Sequence, residues 1–199
     1  MRLPKRNRLF LLAAPLALAA CSEEPRDAQV SAPRQGMMDG MPADARGLRK
    51  VATFDADVLV LSRRNYGGLF GDTFSDYSPV DLAVAWSEGA RAEVHSQISI
   101  RQSGRFYYWR AGADAWQDPR VRRFGKHSAN WHLIPADDTI ADKIDRIGAN
   151  DVVGLKGYLV DIDAPDGSRW RTSRTRNDKG AGACEIILVT EVRAYDEAA

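Results

Sequence analysis

Cysteine is scarce in this chain: 199 residues hold two, Cys21 and Cys184. They form no paired motif of the kind that builds a zinc site. The three histidines, His95, His127 and His132, are not spaced to share a helix face, so neither a metal nor another cofactor is expected. No apolar stretch comes near the ~20 residues that a membrane-spanning helix requires; the longest, residues 9–20, has twelve. A glycine-rich phosphate loop, a serine nucleophile elbow and a dinucleotide fingerprint are all missing. Net charge is small as well, +1 overall. Four of the 28 basic residues precede residue 21, whereas all 27 acids follow it, leaving 24 bases against 27 acids, or −3. A mildly acidic body argues against general binding to nucleic acid or to an anionic membrane surface.

What is present begins with an address. Arg2, Lys5, Arg6 and Arg8 open the chain without an acid, and the apolar run LFLLAAPLALAA leads directly to Cys21. A basic start, a short apolar stretch and small residues at a cut site are the parts of a secretory signal peptide. Leu18-Ala19-Ala20-Cys21 resembles the lipobox of bacterial lipoproteins. That resemblance implies a signal peptide over residues 1–20 and a mature chain starting at a lipidated, palmitate-bearing Cys21. Ser22, where an Asp tends to mean inner-membrane retention, points to the outer membrane facing the periplasm. Several acyl chains, at about 0.8 kcal/mol per buried methylene, make such an anchor effectively permanent.

Residues 21–48 are rich in proline, glycine and charge and show no apolar period, the composition of a flexible tether. Residues 49–199 have the size of one domain with a real core. Strand patterns appear from Val51 to Arg64, around Ile98–Ile100, over Phe106–Trp109 and from Trp131 to Ile134. Ser78-Pro79-Val80-Asp81 reads as a helix start, with Ser78 as cap and Pro79 at the first position, leading a short buried helix over residues 82–86. A second helix is expected from Asp138 to Ile147, capped by Asp137 or Asp138, with Ile140, Ile144 and Ile147 on one face and Gly148 at its end. A three-stranded meander follows over residues 152–162, 169–173 and 185–195. The sum is an α+β domain: a curled antiparallel sheet or partial β-barrel with two or three helices.

Three segments carry a second likeness: Ser128-x-Asn130-x-His132-x-Ile134-Pro135-Ala136, Gly157-Tyr158-Leu159-Val160 and Gly182-Ala183-Cys184-Glu185. Together they resemble an uncharacterised family of small bacterial exported proteins. The resemblance spans residues 51–192 and implies one domain but no activity.

Candidate chemistry centres on Cys184, which has no second cysteine left for a disulfide if Cys21 is lipidated. With His132 as base and Asn130 as orienter it has the residue types of a cysteine nucleophile; equally, a lone cysteine is often a small core residue. Arg169, Arg171, Arg174 and Arg176 form a cationic segment suited to carboxylate, phosphate or glycan acids, or else a solvated outer face. Tyr107, Tyr108, Trp109 and Trp116 offer a ligand platform or, alternatively, core packing. The stretch Asp161–Gly167 is better turn chemistry than a calcium loop. The expectation is therefore a membrane-anchored, non-enzymatic envelope lipoprotein. It would bind an envelope protein or an anionic ligand through Arg169–Arg176. The alternative is a cysteine-dependent hydrolase or transpeptidase using Cys184 and His132.

Overall fold

Apolar strands, several of them buried on both faces, build most of the molecule. The computed structural model describes residues 24–39, 41–67, 71–175 and 183–194. In chain order its strands are β1 (Arg34–Met37), β2 (Leu48–Asn65), β3 (Val80–Ala85), β4 (Ile98–Ser103), β5 (Phe106–Ala111), β6 (Ser128–Pro135), β7 (Val152–Asp163), β8 (Arg169–Trp170) and β9 (Glu185–Ala194). The helices are α1 (Ala92–His95), α2 (Pro119–Arg122) and α3 (Asp138–Asp145). A seven-stranded sheet curls on itself, and β4 and β5 form a separate hairpin.

The curl closes. The 18-residue β2 pairs with β3 along its C-terminal part and with β7 along the rest, and register shifts near Val60 and Ala52 bend it between the two. β3 continues to β6, β6 to β9 and β9 back to β7, which completes a five-stranded ring. Four of these pairs within the ring are antiparallel and β6–β9 is parallel, so the sheet is mixed rather than purely antiparallel. Five strands in a closed ring make a small barrel. Phe54, Leu82, Trp131, Leu133, Leu155 and Leu159 fill its interior, with Phe54 edge-on to Trp131 at 5.1 Å.

The helix expected over residues 82–86 is instead β3, buried at all six positions. Its flanks on both sides are taken by β2 and β6, so barrel pairing outweighs the local Ser-Pro start signal. α3 follows the pattern reading but ends at Asp145: it is capped by the Asp137 carboxylate, which accepts from the Ile140 N–H at 2.9 Å, and Ile140, Ile144 and Ile147 are buried. The strand expected over 169–173 is shorter, ending at Trp170.

The segment read as a tether lies along the barrel from residue 24. Ala28 donates its N–H to the Ala90 carbonyl, Ser87 donates to the Val30 carbonyl, and Arg26 donates to the Asn150 side chain at 3.1 Å. Asp27 pairs with Arg91 at 2.8 Å. The apolar residues that fix it, Ala28 and Val30, are spaced by two, too few for a pattern to be visible among the charges.

Candidate functional site

Asp81 stands in the barrel wall with no exposure. A buried carboxylate is costly unless paired, and three side chains meet this one. Arg105 Nη1 donates to Oδ1 at 2.9 Å, and Asn130 Nδ2 donates to Oδ2 at 3.2 Å. His132 Nδ1 lies 2.8 Å from Oδ1. Register explains the histidine and the asparagine: Asp81 is opposite His132 across β3–β6, and Asn130 is two residues along on the same face. The His132 contact is close but off-axis, so Nδ1 makes no aligned hydrogen bond. The imidazole leans on Trp170, ring centres 4.5 Å apart.

Arg105 ties the hairpin to this wall. It occupies the β4–β5 turn with φ 69°, in the left-handed region that a side chain enters only with compensation. The compensation is visible: Nε and Nη2 clasp Asp72 at 2.7 and 3.0 Å, Nη1 also donates to the Ser78 carbonyl at 2.8 Å, and the guanidinium covers the Tyr66 ring at 3.6 Å. The Arg105 hydrogen bonds draw the Asp72 carboxyl down to about 2. Burial, reinforced by the Asp81 charge, pushes the Tyr66 phenol up to about 12.

Asn130 connects the network to a groove of about 450 Å³. Its amide orientation is set by Gln102 Nε2, which donates to Oδ1 at 2.7 Å, and by the Arg105 carbonyl, which accepts from Nδ2 at 3.2 Å. Phe106, Tyr107, Tyr108 and Trp109 of β5 line the groove, together with Ser128, Cys184 and Glu185 from the starts of β6 and β9. Tyr108 is 55% exposed and Phe106 39%. Three cations stand on the same groove. Arg123 pairs with Glu88 at 2.9 Å, Arg122 donates to the Trp116 and Gln117 carbonyls, and Lys126 meets no acid among the described residues. Tyr107 shares a hydrogen bond with Ser128 at 2.9 Å, and burial, with the charges of Cys184 and Glu185 adding to it, pushes its phenol up to about 12.

The sequence-predicted residues are thus divided. Cys184, half-buried, and Asn130 share the groove. His132 is not among the residues lining it; its ring is engaged by Asp81 and Trp170. The arginine segment is tied to its own acids: Arg169 and Arg171 to Asp163, and Arg174 to Asp161, which Arg49 also meets at 3.2 Å. Cys21 and Arg176 lie outside the described residues. Trp109 stacks on Trp116 at 5.7 Å beside the groove. Among the described residues no three His, Cys, Asp or Glu side chains converge to hold a metal ion. Sequence reading missed Arg105, Asp72 and Tyr66 altogether; a basic residue after glycine between two strand patterns was the one signal for the first. Comparison with protein-family models, with curated proteins and with solved structures returns no match.

Proposed function

We propose that this protein is a membrane-anchored lipoprotein of the cell envelope, exported by residues 1–20, acylated at Cys21 and held at the outer membrane facing the periplasm. Its barrel acts as a non-enzymatic module that binds an envelope protein in the groove beside β5. One observation carries the binding reading: an aromatic groove of about 450 Å³ that keeps Tyr108 and Phe106 open to solvent beside Arg122, Arg123 and Lys126. Exposed aromatics with nearby cations are the composition of an interface core and its rim. The arginine segment is a weaker candidate, since Asp161 and Asp163 already take up its charge.

The cysteine-dependent alternative draws support from Cys184 standing in the same groove as Asn130. It needs an imidazole at the thiol, and His132 is not among the residues that line the groove with Cys184. A photoreactive phenylalanine analogue at position 108, in the full chain expressed in a bacterial envelope, tests the binding reading. One discrete protein adduct at 108, absent with the analogue at the exposed Arg34 of β1, supports it. No adduct at 108, or the same smear at both positions, overturns it. Cys21→Ala is expected to release the chain from the membrane fraction.

A further inference from the structure

The hairpin that walls the groove also shows how a partner would be held. Its turn is two residues long, Gly104 and Arg105, with φ of 55° and 69°, closing on the pair Ser103–Phe106. Two consecutive positive φ values mark a type I′ turn, whose closing pair exchanges both main-chain hydrogen bonds. Bonded pairs alternate from there, so Phe106, Tyr108 and Arg110 face β4, and the main-chain groups of Tyr107, Trp109 and Ala111 face away from it. Two contacts agree with this phase. The Ala111 carbonyl accepts from Trp116 Nε1 at 3.2 Å, and on the other side of the hairpin the Gln102 carbonyl accepts from Arg64 Nη1 at 3.0 Å. Among the described residues nothing pairs with the main-chain N–H or C=O of Tyr107 or Trp109.

That open edge borders the groove. Four consecutive residues of β5 line it, which a groove on one face of a strand would not produce, since successive side chains point to opposite faces. Across the groove, β6 pairs with β3 from Ser128 to Leu133 and with β9 from Trp131 to Pro135. We propose that β5 is a docking edge for an extended acidic segment of a partner protein, which pairs with Tyr107 and Trp109 as a third strand of the hairpin sheet. The proposal rests on the reading of the groove as a protein-binding site. Strand addition takes its affinity from main-chain hydrogen bonds and its selectivity from alternate side chains. Here alternate ligand residues meet the groove wall, and acidic ones meet Arg122 and Lys126. An open edge flanked by aromatics would otherwise be an aggregation hazard, which gives it reason to be occupied.

The test uses the full chain in detergent micelles and a blocked decapeptide of alternating threonine and glutamate. Its threonine–lysine counterpart is expected to bind at least about tenfold more weakly, a difference of roughly 1.4 kcal/mol. In the glutamate peptide, N-methylation of central residues of one parity is expected to weaken binding by about threefold to tenfold each, the net worth of one main-chain hydrogen bond. N-methylation of the other parity leaves it unchanged. Amide exchange at Tyr107 and Trp109 slows with peptide bound. Equal effects at both parities, unchanged exchange at both amides, or no binding at millimolar peptide overturns the proposal. So does polygalacturonate that competes for the groove without protecting those amides, which would assign it to an acidic glycan. A discrete adduct at position 108 with no parity effect sinks strand pairing alone, whereas loss of that adduct sinks the parent reading.

Discussion

At the scale of single residues, Arg105 organises the site. Its guanidinium neutralises Asp81, which has no access to solvent, and Asp72, which has some, while its main chain positions the Asn130 amide. Removing one partner of a buried pair leaves the other charge uncompensated. Arg105→Ala is therefore expected to lower stability by about 3 kcal/mol at neutral pH, read as the shift of a urea unfolding curve. The pH dependence has a definite sign. The folded-state Asp72 carboxyl is depressed below its unfolded value, so its contribution is complete above about pH 4 and is lost as pH falls toward 2. In Arg105→Ala the Asp72 share of that acid loss disappears, and an unchanged acid limb would count against the pairing. Asp81 and Arg105 are separated in the chain by the rest of β3, α1 and β4, and neither lies in a local motif that announces the other. The partnership could not be seen before the barrel brought them together.

At the scale of elements, legibility follows how local the deciding forces are. α3 could be read because its cap, its isoleucine spacing and its terminating glycine all fall between Asp137 and Gly148, twelve residues, and packing agrees with each. β7 and β9 could be read from continuous apolar runs that central strands require. β3 could not: Ser78 and Pro79 are good helix starters, and only a neighbour on each side makes Val80–Ala85 extended. Of the site, the shared wall of Cys184 and Asn130 was within reach because Asn130 lies in β6 and Cys184 directly precedes β9, but the parallel pairing that brings these strands side by side is non-local. Gly157 illustrates the same dependence. It sits at a register shift in β7–β9, where a β-carbon would fall 1.9 Å from the Leu188 carbonyl oxygen. Gly157→Ala has to open that pairing and is expected to cost roughly 1–3 kcal/mol, the usual range for overpacking, with amide exchange accelerating first in β9. Exchange that stays uniform would mean the strands yield without separating.

At the scale of the whole molecule, closure of the ring leaves β5 outside it, beside a lined groove. The N-terminal segment completes the surface elsewhere, covering Ala90 and the apolar cluster behind it. Deleting residues 24–33 is expected to lower the unfolding midpoint by roughly 4–8 °C, the equivalent of about 2 kcal/mol in a domain of this size, and an unshifted midpoint would show the clamp to be ornamental. The same clamp fixes how the molecule stands. With the acyl chains on Cys21 that we propose, the chain reaches its first hold on the barrel at Glu24, whose carbonyl accepts from the Asn150 side chain. Three residues span at most ~10 Å. On that proposal so short a leash would keep the barrel at the lipid headgroups, where it would drift in two dimensions without sweeping the space beyond. The distance over which it makes a catch is then set by the arm its partner extends toward the membrane.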